Sequence, residues 1–274
     1  MFSFKDFISE DIHPVYILTD FENEQVDNIL DTYHYLLNPD VLDGVSPEKY
    51  YKKKLLSSEY GRLTNTLNLG KLRYNTSEKG DVGNVSVVVN FTTDIVAKAA
   101  YSEKYDTIEV FYYYFDKLSE NQKRSAIKHE LFHAKQEDKT LTPEYRRSIN
   151  KRTLPNGNIS IRSKRGYYFS ENEFTVHVST IIAEIDRQDK VFKKYIEQSE
   201  GSKKVFWEKQ RQGFIKLLLQ FIEGNLNIKS LPSYLKDEED FIKTVYRNKN
   251  NPDMVQYYDF LRGRLHDKYV DIAQ

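Results

Sequence analysis

Ser125-Ala126-Ile127-Lys128-His129-Glu130-Leu131-Phe132-His133-Ala134-Lys135-Gln136 places two histidines four residues apart, with a glutamate directly after the first. On a helix, residues four apart lie one turn apart on the same face, so the imidazoles of His129 and His133 come close enough to share one ion. Glu130 then points to the flank of that face, where a carboxylate can hold a water beside the ion. Zinc takes neutral imidazole nitrogens and, at a catalytic site, keeps one position open. The base that takes a proton from the water must stand beside the metal and not on it. The motif supplies both kinds of group in five residues.

The surroundings read as a helix. Ser119-Glu120-Asn121-Gln122 has the S-x-x-Q form of a capping box and marks a helix start. Ile127, Leu131 and Ala134 form a stripe that faces a core, with the two histidines nearly opposite it. A strand is expected directly before, over Thr107 to Phe115 (TIEVFYYYF). The bland alternative is a surface helix with two solvated histidines.

The stretch resembles the active-site helix of the zincin metallopeptidases, with a likeness that spans residues 84–187. In that family a strand along the cleft pairs with the peptide substrate, and the His-Glu-x-x-His helix lies beneath it. The resemblance implies His129 and His133 as zinc ligands and Glu130 as general base. The metzincin branch is excluded, because it would continue to Gly and a third His within six residues, whereas this chain runs Ala134-Lys135-Gln136-Glu137-Asp138-Lys139.

Two histidines leave a third ligand to find, and in the gluzincin branch it is a glutamate on a later helix. Ser170-Glu171-Asn172-Glu173 opens such a helix, with Phe174, Val178, Ile181 and Ile182 as its core face. The resemblance implies Glu173. His177, one turn on, and Glu171 remain alternatives, and Glu173 could simply complete a capping box on Ser170. One departure matters. The gluzincin pattern has Asp four residues after the ligand, hydrogen-bonded to the first histidine; here that position is His177. The outer carboxylate must then come from elsewhere, with Glu184 and Asp186 as candidates.

The rest of the chain sets bounds. It has 274 residues, 41 basic and 41 acidic, six histidines and no cysteine. The even charge argues against a nucleic-acid coat protein or a polybasic membrane binder. Without cysteine, any metal must use His, Asp or Glu. No apolar run reaches membrane-spanning length. The first ten residues lack the long apolar core of a secretory signal. Their form, M-x-S-F-K-x-F-I-x-E, resembles the capsid-targeting peptide of internal head proteins of large contractile-tailed phages. That resemblance implies a cut after Glu10, before Asp11; the plain alternative is a starter with Phe4, Phe7 and Ile8 packed on the domain.

A helix is expected from Asp20, with Phe21, Val26, Ile29, Leu30, Tyr33, Leu36 and Leu37 at helical spacing, stopped by Asn38-Pro39-Asp40. Ser46-Pro47 signals another helix start. Residues 75–84 read as loop, Val85 to Phe91 as a strand, and Asp94 to Tyr105 as a short helix or irregular link. Residues 151–165 hold Lys151, Arg152, Arg162, Lys164 and Arg165 and no acid. A hairpin there could select acidic peptides, or be a solvated loop. Tyr167 or Tyr168 could donate to an oxyanion, or simply pack. Helices are expected over Val205 to Glu223, Glu239 to Arg247 and Met254 to Ile272.

The expected fold is α+β: a zincin-like, small mixed or antiparallel sheet over an active-site helix, with additional C-terminal helices. Its regions are a targeting or processed peptide at 1–10, a zincin-like domain at 11–187 and a helical region at 188–274. The expected function is a zinc-dependent metallopeptidase acting on a peptide or protein, phage-encoded and possessing phage head proteins as partners. Its expected place is the host cytoplasm or the virion interior, with no membrane and no strong nucleic-acid signal. The alternative is a catalytically silent zincin-fold virion or assembly protein holding a structural metal.

Overall fold

The computed structural model describes residues 16–55, 66–75, 82–92, 97–136, 168, 171–227, 231–236, 238–251 and 255–273. The expectations placed on residues 1–10, on the basic span 151–165 and on Tyr167 and Ser170 lie outside these. The chain divides into two compact units, Leu18–Thr140 and Met1–Ile17 with Leu141–Gln274. Helix Glu171–Glu197 runs unbroken through residue 187, where the sequence suggested a boundary. The fold is mixed α and β. No helix among the described residues is long and apolar enough to cross a membrane.

The Leu18–Thr140 unit holds the sheet. Its elements are α1 (Asp20–Leu36), α2 (Pro47–Leu55), β1 (Thr66–Asn75), β2 (Val82–Asn90), β3 (Ala99–Ser102), β4 (Thr107–Phe111), a helical turn at Tyr112–Phe115, and α3 (Glu120–Lys135). The strand order is β1-β2-β4-β3, with β2 and β4 parallel and the other two pairings antiparallel. Two corrections to the sequence reading stand out. The link at 94–105 contains strand β3, and the loop expected at 75–84 is partly strand, since β1 reaches Asn75 and β2 starts at Val82.

One face of the sheet is wholly apolar. Leu72, Val85, Val87, Val89, Ile108 and Val110 are in register on it and fully buried. Burial of each such side chain contributes about 1.5–3 kcal/mol. Helix α1 covers this face through Val26, Ile29 and Leu30, and it comes very close at Gly70. There a bulge shifts the β1–β2 register, φ is 133°, and a Cβ would meet Ile29 Cδ1 at 3.1 Å. Only glycine accepts both the positive φ and the contact.

Both long helices start on complete capping boxes, Thr19 with Glu22 and Ser119 with Gln122. Glu22 does more than cap. One carboxylate oxygen accepts from Thr19 N at 2.7 Å, while the other accepts from Asn75 N at 3.0 Å and from Lys135 Nζ at 2.7 Å. Glu22 and Lys135 are 2% and 6% exposed, so this ion pair ties the last turn of α3 to the start of α1 in a buried setting. Arg124 with Asp27 at 2.5 Å and His34 with Glu120 at 2.6 Å add exposed links between the same helices. Such exposed pairs contribute little.

The other unit is helical: α4 (Glu171–Glu197), α5 (Gly201–Ile222), α6 (Glu239–Arg247) and α7 (Val255–Ala273). Phe174, Val178, Ile181, Ile182 and Ile185 of α4 pack with Phe214, Leu218 and Phe221 of α5, and with Leu261 and Leu265 of α7. Gly224, at φ 74°, terminates α5 in the left-handed conformation. Arg211 joins three helices, donating to Asp189 at 2.8 Å and to the Ile272 carbonyl at 2.6 Å.

Glu22→Gln keeps the shape of the side chain but leaves the Lys135 ammonium buried without its charge partner. It is expected to lower stability by about 3–5 kcal/mol, read as a shift of the urea midpoint. Adding Lys135→Met should recover part of that loss. Wild-type stability in Glu22→Gln would refute the role given to the pair.

Candidate metal centre

In the Leu18–Thr140 unit, the motif lies in the C-terminal half of α3, with His133 in the last turn. Ile127, Leu131 and Ala134 are buried as the stripe requires, and His129, Glu130 and His133 are each half-buried. The two imidazole centroids lie 5.0 Å apart at an interplanar angle of 72°. His133 Nδ1 is 3.2 Å from Gln136 Oε1. An amide oxygen only accepts, so Nδ1 carries the proton and Nε2 keeps the lone pair that a metal needs.

Glu130 is anchored on the sheet. Its Oε2 accepts from Tyr101 N of β3 at 2.7 Å. Strand β3 is the outer strand on that side of the sheet. Lys98 O accepts from Phe111 N, and pairing alternates from there, so Tyr101 N–H points away from β4. The carboxylate therefore uses an amide that the ladder does not need. No sequence signal marks this contact, because the donor is main chain.

In the other unit, Glu173 and His177 lie one turn apart on α4, 7% and 8% exposed. His177 Nδ1 is 2.6 Å from Glu238 Oε2, and Glu238 is itself 5% exposed. Since a carboxylate accepts, Nδ1 is the protonated nitrogen. The ring stacks on Phe241 at 4.6 Å and 17° and meets Tyr168 edge-on at 5.2 Å. Those contacts turn Nε2 toward Glu173, whose Oε2 is 3.9 Å away. Burial first, and then the charges of Asp240, Glu238 and Glu173, push the Tyr168 hydroxyl up to about 12.

The sequence offered Glu184 and Asp186 as outer carboxylates. Glu184 accepts from Arg187 Nε at 2.9 Å and Asp186 pairs with Lys268 at 3.1 Å. The carboxylate held against an imidazole is Glu238, which sequence reading missed. It stands 61 residues from His177 at the start of α6, and nothing in its own neighbourhood distinguishes it from a surface glutamate. Glu171 lies in the first turn of α4. His34 is engaged on the surface by Glu120.

No family model matches the chain, and neither the curated proteins nor the solved structures yield a match.

Removal of the Glu130 carboxylate should release the Tyr101 amide. In Glu130→Ala, hydrogen exchange at Tyr101 is expected to speed up on the order of 10- to 100-fold, the equivalent of a charge-assisted hydrogen bond. Ala100, paired with Glu109 in the ladder, should hardly change. Unchanged exchange at Tyr101 would refute the anchoring.

Proposed function

We propose that the chain is a zinc-dependent metallopeptidase of zincin type, hydrolysing peptide bonds. His129 and His133 are two of its ligands, Glu173 is the third, and Glu130 is the general base. The observation that carries this reading is the arrangement on α3, where two imidazoles on one helical face flank a carboxylate fixed by the outer strand of the sheet. The assignment of Glu173 rests on the sequence resemblance, and its burial beside His177 on α4 is compatible with a ligand.

The donor set suits zinc: neutral imidazoles and a carboxylate, in a chain without thiolates. When bound, zinc lowers the pKa of a water towards neutrality and polarises the scissile carbonyl. The chain does the rest. His133 presents Nε2 because Gln136 holds its Nδ1 proton. Glu130 takes the proton of the attacking water and returns it to the leaving amine. Tyr101 N–H holds Oε2 and thereby presents the other oxygen for that proton. On the side of β3 away from β4 the Tyr101 N–H is already held by Glu130, so an extended peptide there would pair with the other outward main-chain groups of that strand.

A second reading has its own support: a catalytically silent zincin-fold protein with a structural metal. It is favoured by the His177–Glu238 pair, since a histidine backed by a carboxylate is the form in which proteins present a further metal donor.

Purified protein is expected to carry one zinc and to cleave casein, with cleavage lost to 1,10-phenanthroline and restored by Zn2+. Glu130→Gln should keep the zinc and lose at least about 10²–10⁴-fold in kcat/KM. A zinc-free wild type overturns the metal centre. A zinc-bound wild type that cleaves nothing leaves the structural reading standing in place of the peptidase.

A further inference from the structure

We infer that the α4–α5 hairpin docks on an anionic lipid surface, with Val205 and Phe206 entering the acyl boundary and the flanking lysines meeting headgroup phosphates. This end of the hairpin carries no residue of the metal centre proposed above. Tyr195, Val205 and Phe206 are 43%, 49% and 52% exposed, on helices that reverse over Gln198-Ser199-Glu200. Gly201, at φ 54°, takes the left-handed conformation at that reversal. Tyr195 stacks on Trp207 at 4.5 Å and 15°, and Phe206 meets Trp207 at 5.1 Å and 76°. Trp207 in turn meets Phe192 at 6.4 Å, and Phe192 meets the buried Phe214 at 5.7 Å. The exposed group is thus an extension of the core, set in place before any partner arrives.

Charge selects the partner. Over the whole chain 41 basic residues balance 41 acidic ones, but between residues 193 and 209 five lysines stand against three glutamates, Glu197, Glu200 and Glu208. Their placement matters more than the excess. Lys193-Lys194 directly precede Tyr195, and Lys203-Lys204 directly precede Val205-Phe206-Trp207, with Lys209 two residues on. All five lysines are exposed, and Lys193 also pairs with Asp189 at 2.8 Å. A lysine stem can lie along apolar surface and carry its ammonium out to the headgroups, while tryptophan and tyrosine favour that same interface. Each lysine close to an anionic leaflet adds attraction that salt screens.

A second copy of the chain would need more surface than this. Two half-exposed rings and a valine offer on the order of 250 Å², against about 800 Å² on each partner of a stable complex. A bilayer sets no such threshold, because a few inserted side chains and the lysine charges act together. Bases of a single strand stack on open ring faces, whereas Tyr195 and Trp207 turn a face to each other.

Trp207 is the only tryptophan, so the fluorescence of the full chain reads this site directly. The probe is vesicles of phosphatidylcholine with roughly 30% phosphatidylserine. They should sediment the protein, shift Trp207 emission to the blue and, with brominated acyl chains, quench it; phosphatidylcholine alone should do little of each. Val205→Ser with Phe206→Ser should weaken binding at least about 10-fold and leave the melting temperature in place, since both side chains are exposed. Lys203→Gln with Lys204→Gln should weaken it roughly 10-fold and flatten its salt dependence; this pair decides alone if the first double variant fails to fold. No binding to the mixed vesicles, equal binding to pure phosphatidylcholine, or wild-type binding in a folded double variant overturns the inference. Protection of Trp207 without lipid, by concentration-dependent dimerisation or by an added single-stranded oligonucleotide, assigns the surface to that partner and overturns it too.

Discussion

A buried carboxylate holds the Leu18–Thr140 unit together. Glu22 closes the capping box of α1, accepts from the last residue of β1 and neutralises Lys135 in the final turn of α3. Each of these contacts alone is ordinary. Their combination on one side chain means that helix α1, the sheet edge at β1 and the end of α3 cannot move independently without stranding a charge away from water. That cost is several kcal/mol, a large share of a domain's net stability. The ion pair is therefore less a source of stability than a device that permits only one placement of α3 against α1 and β1.

That placement is what the histidines depend on. Helix α3 buries Ile127, Leu131 and Ala134 inward, and the opposite face carries His129 and His133. Its last turn is pinned by Lys135, and Glu130, five residues earlier, is pinned on Tyr101 N. With two fixed points on one rigid rod, the rotation and the height of the imidazoles are both set by polar contacts. Apolar packing alone would tolerate a slide along the groove; two directional contacts, one to helix α1 and one to strand β3, do not.

Much of this was legible in the chain. The S-x-x-Q box, the Ile127–Leu131–Ala134 stripe and the helix from Asp20 could be read because each signal is local, within one or two turns. The strands were harder. In β1, Leu69 and Leu72 are both buried although three residues apart, because the bulge at Gly70 breaks the period of two on which a strand is recognised. In β3, Ala99-Ala100-Tyr101-Ser102 is short and carries two alanines, so neither length nor β-propensity marks it. The anchor of Glu130 left no trace because it is a backbone amide. The role of Lys135 was hidden for another reason: a lysine in the last helical turn usually serves the helix dipole from the surface, and here the partner that draws it inside lies 113 residues away.

His177 is held by residues far from it in the sequence. A carboxylate stands against its ring, that of Glu238, at 2.6 Å from the imidazole nitrogen. An imidazole, unlike a carboxylate, accepts through one nitrogen and donates through the other. It also requires more scaffolding, since a ring must be oriented where a carboxylate needs little. Phe241 and Tyr168 supply it, and Phe241 lies on the same short helix that Glu238 opens. One turn of α6 thus carries both the charge that sets the tautomer and the ring that sets the plane. This places the control of His177 in a segment outside the motif, where no pattern search anchored on the two α3 histidines would look.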